Sequence, residues 1–168
     1  GMGLGHVQLA MVQAEAARTR LGPWVLNCQA PDEGNMHTLL HWGTDEQKEK
    51  YLRPLCEGRV WSCFAMTEPE VAGSDPTLIR TRAIADGDEW VINGEKYYIS
   101  GAGDPRCKIL ICMVMTSPDG PPHRRHSQIL VPMDTPGVQI LGPMEVFGED
   151  DAPHGHMHLR FTDVRVPS

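Results

Sequence analysis

The chain has 168 residues, enough for one ordinary domain or for one domain and part of another. Hydrophobic residues make up 40% and charged residues 22%, so we expect a packed core. The formal net charge of −7 argues against a protein that grips a nucleic-acid backbone, and the longest apolar run, near residues 109–115, is too short to cross a bilayer.

The cysteine pattern favours a reducing compartment. The chain has five cysteines, an odd number, and no Cys-x-x-Cys pair. Free thiols are therefore expected rather than a disulfide framework or a structural zinc site. This predicts an intracellular location, and leaves open bacterial cytoplasm, mitochondrion and peroxisome.

The first third of the chain carries helix signals. Residues from about 3 to 20 are rich in Ala, Gln, Glu and Leu, and residues 34–43 place apolar side chains at helical spacing. Thr44 and Gln47 form a capping-box pattern for a further helix. Pro54 should kink that helix or end it early.

From about residue 60 the pattern is that of β-strands. "VWSCFAMT" is a short apolar strand, and "IRTRAIADGDEWVINGEKYYIS" holds two hairpin signals, Asp86-Gly87 and Asn93-Gly94. Further strands are predicted for "KILICMVM", "SQILVPM", "VQIL" and "MHLRFTDVRVP". Helices followed by consecutive strands define a segregated α+β fold, whose β part is long enough for a small barrel or two packed sheets.

The stretch "FAMTEPEVAGSD", from Phe64 to Asp75, ends a strand abruptly. Pro69 fixes its own φ and disfavours a helical Glu68, and Gly73 allows a close backbone approach. Small hydroxylated residues in such a loop expose donors that suit a flavin edge or a phosphate. The alternative is a plain junction between a strand and a turn.

A second candidate is "NGEKYYISGAG", residues 93–103. Alternation along a strand places Tyr98 and Ser100 on the same face. The aromatic ring could stack on a planar cofactor while the hydroxyl reaches a ring nitrogen. A ligand-free alternation of surface and core residues is the other interpretation, but the two stretches together are more specific than either alone.

Three alternating histidines, His154, His156 and His158, would share one face of a strand, as a metal site needs. Gly155 suggests a turn, however, and no carboxylate or cysteine is placed nearby by spacing. We therefore predict no metal site.

The two stretches, followed by "ILVPMDTPGVQIL" and "FTDVRVP", resemble the middle region of the acyl-CoA dehydrogenase family. The upstream "APDEGNMHTLLHWGTDEQKEKYLRPLCEG" is similar to the last helices of that family's N-terminal domain. The longer Thr-Glu-Pro-x-x-Ala loop and the "GNM" helix start resemble most the branch of family members 10 and 11.

The resemblance implies an α+β fold in two parts. Residues 1–59 would be the end of an incomplete N-terminal all-α domain. Residues 60–168 would form the small antiparallel β-barrel of the middle domain, and the C-terminal helical domain would be absent.

The resemblance also implies an FAD site. Met66 and Thr67 would face the isoalloxazine edge, Tyr98 would cover the ring where most relatives have tryptophan, and Ser100 would approach flavin N5. Ser74 would lie where the substrate's pantetheine arm meets the flavin. The whole implied cofactor-binding set is Phe64, Ala65, Met66, Thr67, Glu68, Pro69, Gly73, Ser74, Tyr98, Ile99 and Ser100.

The implied reaction is α,β-dehydrogenation of acyl-CoA to trans-2-enoyl-CoA, as in fatty acid β-oxidation. A carboxylate base takes the α-proton and flavin N5 takes the β-hydride. In the family that base lies in the C-terminal domain, so we expect no catalytic residue here, and Glu68 and Glu70 are poor substitutes.

The implied partners are acyl-CoA, an electron-transfer flavoprotein as acceptor and further subunits in a homodimer or homotetramer. Two alternatives stay open: a flavin oxidase or monooxygenase of the same fold, and a non-catalytic binding or dimerisation module.

Overall fold

The computed structural model describes residues 3–168, which form two compact units. The first unit ends at Gly58 and the second runs from Arg59 to Ser168. The first is helical and the second is a sheet, so the predicted segregation of helices and strands is confirmed.

The helical unit contains short helices. They are α1 (His6–Ala16), α2 (Gly22–Val25), α3 (Asp32–Trp42), α4 (Asp45–Gln47), a π-helical turn (Lys48–Leu52) and α5 (Arg53–Cys56). No helix in residues 3–168 has both the length and the apolar character that a membrane crossing requires.

The capping box at the start of α4 is confirmed. The Thr44 hydroxyl accepts from the Gln47 N–H at 3.2 Å, and the Gln47 side chain accepts from the Thr44 N–H at 2.9 Å. Pro54 does not end the helical segment, which was one of the two outcomes predicted for it, since it lies in the first turn of α5. The preceding turn widens instead, and the Arg53 N–H bonds to the Lys48 carbonyl five residues back. A π turn of this kind keeps the chain helical where proline supplies no N–H.

The second unit is built on one seven-stranded sheet. Its strands are β1 (Trp61–Ala65), β2 (Arg82–Asp86), β3 (Glu89–Ser100), β4 (Cys107–Met115), β5 (His126–Pro132), β6 (Val138–Pro143) and β7 (His156–Pro167). The strand order is β1-β4-β2-β3-β7-β6, and β5, off this path, pairs with β4 from Ile109 to Met115. The sheet curls into a half-barrel around the core.

The sheet is mixed rather than wholly antiparallel. The pairs β2–β3, β3–β7, β4–β5 and β6–β7 are antiparallel, whereas β1 runs parallel to β4. A parallel pair needs a long crossover, and the chain between Ala65 and Cys107 supplies one. Because of this pairing, β1 and β4 end at the same edge of the sheet, where the loop after β1 begins.

The core lies on the inner face of the sheet. It is made of aliphatic side chains, Phe161 and three buried cysteines, with Met157 at one edge. Its fully or almost fully buried members include Cys63, Ile92, Ile99, Leu110, Cys112, Val114, Val131, Leu159, Phe161 and Val164. Burial raises the pKa of the Cys112 thiol to about 12, so this thiol stays protonated and is no nucleophile.

The structure confirms one of the two predicted hairpin turns. β2 and β3 meet in a hairpin at Asp86-Gly87, with Gly87 at a φ of 66°. No turn occurs at Asn93-Gly94, because β3 continues through it to Ser100. Gly94 marks a bulge instead, where the sheet partner shifts register. A side chain at this position would lie 2.8 Å from the Thr81 Cα, so the glycine permits a close contact between chain segments.

Gly94→Ala should therefore destabilise the β unit. The new methyl group would overlap Thr81, and the φ of 150° is itself unfavourable for alanine. Gly142→Ala is the matched control: it has a φ of 154°, lies at a bulge and has no atom within 4 Å of the added carbon. Urea denaturation should give a free energy of unfolding that is about 2 kcal/mol lower for Gly94→Ala than for Gly142→Ala. Equal losses would mean that backbone strain alone is at work.

Candidate functional site

The loop that follows β1 is folded back on itself. A side chain at Gly73 would meet the Thr67 methyl group at 3.3 Å, so glycine lets the two ends of the loop approach. Farther on, the Asp75 carboxylate accepts from the N–H and hydroxyl of Thr77 at 3.0 and 2.6 Å. These contacts give the loop from Met66 to Asp75 a fixed path without regular secondary structure.

A buried lysine ties this loop to β3. The Lys96 side chain is fully buried, and its Nζ donates to the Met66 carbonyl and to Glu68 Oε1, both at 2.9 Å. A buried ammonium group is costly unless it is paired and hydrogen-bonded. If the loop moved away, the Lys96 ammonium group would be buried without its hydrogen-bond partners, so the lysine fixes the position of the loop.

The Glu68 carboxylate is also fully engaged. Its oxygens accept from the Arg80 N–H at 2.7 Å and from the Thr81 N–H at 2.8 Å, besides Lys96. Burial alone would raise the pKa of Glu68. Hydrogen bonds from Thr81 and Lys96, the charge of Lys96 and the Arg80 N–H outweigh it and lower the pKa below its usual value. Glu68 is thus an ionised structural group, not a carboxylate free to take a proton.

Thr67 joins the loop to the next residue of β3. Its hydroxyl donates to the Tyr97 carbonyl at 2.5 Å, and its carbonyl accepts from the Tyr97 N–H at 3.0 Å. With its proton directed at Tyr97, this hydroxyl can only accept from a ligand. The loop and the end of β3 therefore form one continuous surface.

Tyr98 stands out from that surface. Its backbone has a φ of 55° within an irregularity of the β3–β7 pairing, and its N–H donates to the Met144 sulfur at 3.2 Å. The residue is 45% exposed and its ring centroid lies 5.0 Å from that of Tyr97. It lines an open groove of about 300 Å³, together with Leu141, Gly142, Pro143, Met144, Glu145 and His158.

Polar pairs continue along the same region of β3 and β7. Ser100 Oγ lies 2.8 Å from His156 Nδ1. Glu95 binds Arg160 and His158, each at 2.8 Å, and the hydrogen bonds from Arg160 and then His158 lower the pKa of the Glu95 carboxyl.

His154 precedes β7, so the three histidines do not share a strand. No group of three or more His, Cys, Asp or Glu side chains in residues 3–168 is arranged to hold a metal.

The predicted site residues divide by exposure. Ala65, Glu68 and Ile99 have buried side chains, so only their backbone groups could meet a ligand. Those with side chains at least partly accessible are Phe64, Met66, Thr67, Pro69, Ser74, Tyr98 and Ser100. The exposed Glu70 lies 3.6 Å from Arg80 in a surface ion pair.

The residues that the sequence analysis missed are Lys96 and His156. Lys96 lies at an even spacing from the buried Ile92 on β3, so alternation along the strand would have placed it inside. His156 was considered only as a metal ligand. Its contact with Ser100 depends on the pairing of β3 with β7, 56 residues apart, which no local pattern reveals.

Residues 1–59 match the family model for the acyl-CoA dehydrogenase N-terminal domain, and residues 63–164 match that for the middle domain. The chain belongs to the acyl-CoA dehydrogenase family.

Among curated relatives, human acyl-CoA dehydrogenase family member 11 is 49% identical over 99% of the chain, and mouse family member 10 is 47% identical over 99%. These alignments cover 22% and 16% of the two relatives, so the chain spans less than a quarter of their length. The predicted resemblance to this branch is confirmed.

Solved structures agree. The solved structure of a protein from Mycobacterium abscessus that is assigned to the acyl-CoA dehydrogenases superposes on this chain with a TM-score of 0.96 and 45% identity. The match covers 99% of this chain and 41% of that one. A glutaryl-CoA dehydrogenase from Mycobacterium smegmatis, solved in complex with FADH2, gives a TM-score of 0.65 and 30% identity, covering 79% and 32%.

Lys96→Met should destabilise the β unit by about 3–5 kcal/mol, because it leaves the Glu68 carboxylate buried without its cation. Lys108→Met is the matched control, since Lys108 is an exposed lysine on β4 whose side chain donates to the Pro105 carbonyl. It should change the free energy of unfolding by less than about 0.5 kcal/mol. Adding Glu68→Gln to Lys96→Met should restore part of the loss in urea denaturation. A Lys96→Met variant as stable as Lys108→Met would contradict the structural role of the pair.

The Glu68 interaction should weaken in acid. Its folded-state pKa is lowered, so its contribution to stability is complete above the unfolded pKa of about 4.3 and declines as pH falls toward the folded value. The stability difference between wild type and Glu68→Gln should be constant above about pH 5.5 and shrink below about pH 4.3. Taking this difference cancels the other carboxylates. A difference that grew in acid would reverse the assigned sign.

Proposed function

We propose that this chain supplies the flavin-facing wall and part of the acyl-CoA site of an FAD-dependent acyl-CoA dehydrogenase. The observation that carries the proposal is the joining of the loop after β1 to the end of β3 through Thr67 and Tyr97. That contact brings the two sequence motifs, 30 residues apart, onto one surface. Residues 1–59 are assigned to the end of the N-terminal domain and residues 60–168 to the middle domain.

The exposed groups fit a flavin ring. Tyr98 offers an exposed aromatic side chain, and Ser100, two residues on, is half-buried and carries a hydroxyl. Met66 and Thr67 border them on the loop side. When bound, FAD accepts the β-hydride of the acyl chain. This chain's residues hold the ring and direct hydrogen bonds to its edge.

The catalytic base lies outside this chain. Glu68 is buried, ionised and bonded to Lys96, Arg80 and Thr81, so it cannot accept the substrate's α-proton. Glu70 points to solvent, where it pairs with Arg80. Both glutamates of the loop are thus assigned to structure and surface, as the family resemblance implies.

Ser74 is exposed at the far end of the loop, where the substrate's pantetheine arm would pass. The reaction assigned is dehydrogenation of acyl-CoA to trans-2-enoyl-CoA in fatty acid β-oxidation, with an electron-transfer flavoprotein as acceptor and a homodimer or homotetramer as the assembly. All five cysteines are free, which is compatible with a cytoplasmic, mitochondrial or peroxisomal location.

Flavin binding is testable by titrating FAD with the 168-residue chain and following flavin fluorescence. Tyr98→Ala should raise the dissociation constant roughly fivefold, because a stacking surface is lost. Trp42→Ala, which removes an exposed aromatic ring from the helical unit, should leave it unchanged. Failure of wild type to bind FAD at any accessible concentration would overturn the assignment of a flavin wall.

The same preparation tests the position of the base. Under anaerobic conditions, the chain mixed with FAD and a series of acyl-CoA thioesters should leave the flavin absorbance unbleached. Bleaching by this chain alone would show that it holds the base, and would return Glu68 and Glu70 to consideration.

A further inference from the structure

Ser100 and His156 face each other where β3 ends and β7 begins. The two residues are direct partners in the antiparallel ladder, and Ser100 Oγ lies 2.8 Å from His156 Nδ1. Just beyond them the Gly101 N–H donates to the Gly155 carbonyl at 3.0 Å, which closes the end of the ladder. The backbone therefore sets the distance between the hydroxyl and the imidazole.

His156 is also connected to Tyr98. The Met144 N–H donates to the His156 carbonyl at 2.7 Å, and the Met144 sulfur accepts from the Tyr98 N–H at 3.2 Å. Tyr98, Met144, His156 and Ser100 thus form one connected set around the exposed aromatic ring. A substitution of the His156 side chain therefore changes the hydrogen-bond partner of the Ser100 hydroxyl.

The Ser100 hydroxyl has one proton and two lone pairs. If His156 Nδ1 is unprotonated, it accepts the Ser100 proton, and Ser100 offers a ligand only its lone pairs. If Nδ1 carries hydrogen, Ser100 accepts from it and its own proton is free for a ligand. The role of Ser100 as donor or acceptor is therefore decided by the tautomer of His156.

We propose that His156 is a positioning residue that fixes the Ser100 hydroxyl and, through its tautomer, decides what that hydroxyl presents to a bound flavin ring. This rests on the proposed function, since it takes the flavin to lie against Tyr98 and Ser100. Flavin N5 accepts a hydrogen bond in the oxidised ring and carries hydrogen in the reduced ring. With one tautomer of His156 the Ser100 hydroxyl can donate to N5 of the oxidised ring, and with the other it can accept from the N5–H of the reduced ring.

The contact itself can be tested without flavin. Imidazole ¹⁵N shifts of the 168-residue chain, recorded at pH 8.5 where imidazole is ordinarily neutral, report the tautomer of each histidine. Ser100→Ala should change the tautomer balance of His156 and leave His158, which bonds to Glu95, as it was. Unchanged His156 shifts would overturn the positioning contact.

The effect on the ligand needs a mutant cycle in FAD titrations. Ser100→Ala and His156→Leu should each raise the dissociation constant roughly fivefold, and the double variant should be no worse than either single one. His156→Asn, whose amide can replace Nδ1, should bind within about twofold of wild type. His158→Leu is the control on the same strand and should not couple to Ser100→Ala.

The outcomes separate the two proposals. If wild type does not bind FAD, the flavin wall and the ligand half of this inference both fail, while the ¹⁵N shifts still decide the contact. If FAD binds but the effects of Ser100→Ala and His156→Leu multiply, His156 does not act through Ser100. A His156→Asn variant as weak as His156→Leu would also overturn the proposal, because steric fit rather than a hydrogen bond would then be at work.

Discussion

The buried ion pair of Lys96 and Glu68 is the constraint on which the proposed site depends. Lys96 has no exposed surface, so its charge must be balanced inside the protein. The balance comes from a loop without regular structure, through one carboxylate and one backbone carbonyl. Hydrogen bonding within the loop alone would be weak, but a loop that neutralises a buried ammonium cannot leave without a cost of several kcal/mol. The charge pair thereby gives a loop the positional accuracy usually found in a strand.

The other site groups are arranged around this fixed loop. Thr67 comes between the two loop residues that bind Lys96, so its two bonds to Tyr97 are made at a set position. Tyr98 then follows with a left-handed backbone and an exposed side chain. The polar pairs of Ser100 with His156 and of Glu95 with His158 and Arg160 lie on either side of this ring along the strand. A rigid ion pair inside and adjustable hydroxyl and imidazole groups outside suit the large planar ligand proposed for this site.

Much of this could be predicted from the sequence, and the limits have physical causes. Apolar runs located the strands, and the Thr44 capping box and the Asp86-Gly87 turn were correct because each depends only on neighbouring residues. Asn93-Gly94 has the composition of a turn, yet the close approach of Thr81 made it a bulge, which is a tertiary effect. Motif spacing suggested that Tyr98 and Ser100 act together. The role of Lys96 was not predictable in detail, because its partner lies 28 residues earlier in an irregular loop.

The parallel pairing of β1 with β4 has a consequence for how the molecule folds. β2 and β3 are joined by a two-residue turn, whereas β1 and its partner β4 are separated by the whole chain segment from Ala65 to Cys107. Contacts between distant parts of a chain form late, because closing the long loop between them costs conformational entropy before the contact is made. The edge of the sheet that carries the proposed flavin wall is therefore among the last parts to assemble. Substitutions that weaken contacts at this edge should raise the unfolding rate while leaving the folding rate nearly unchanged.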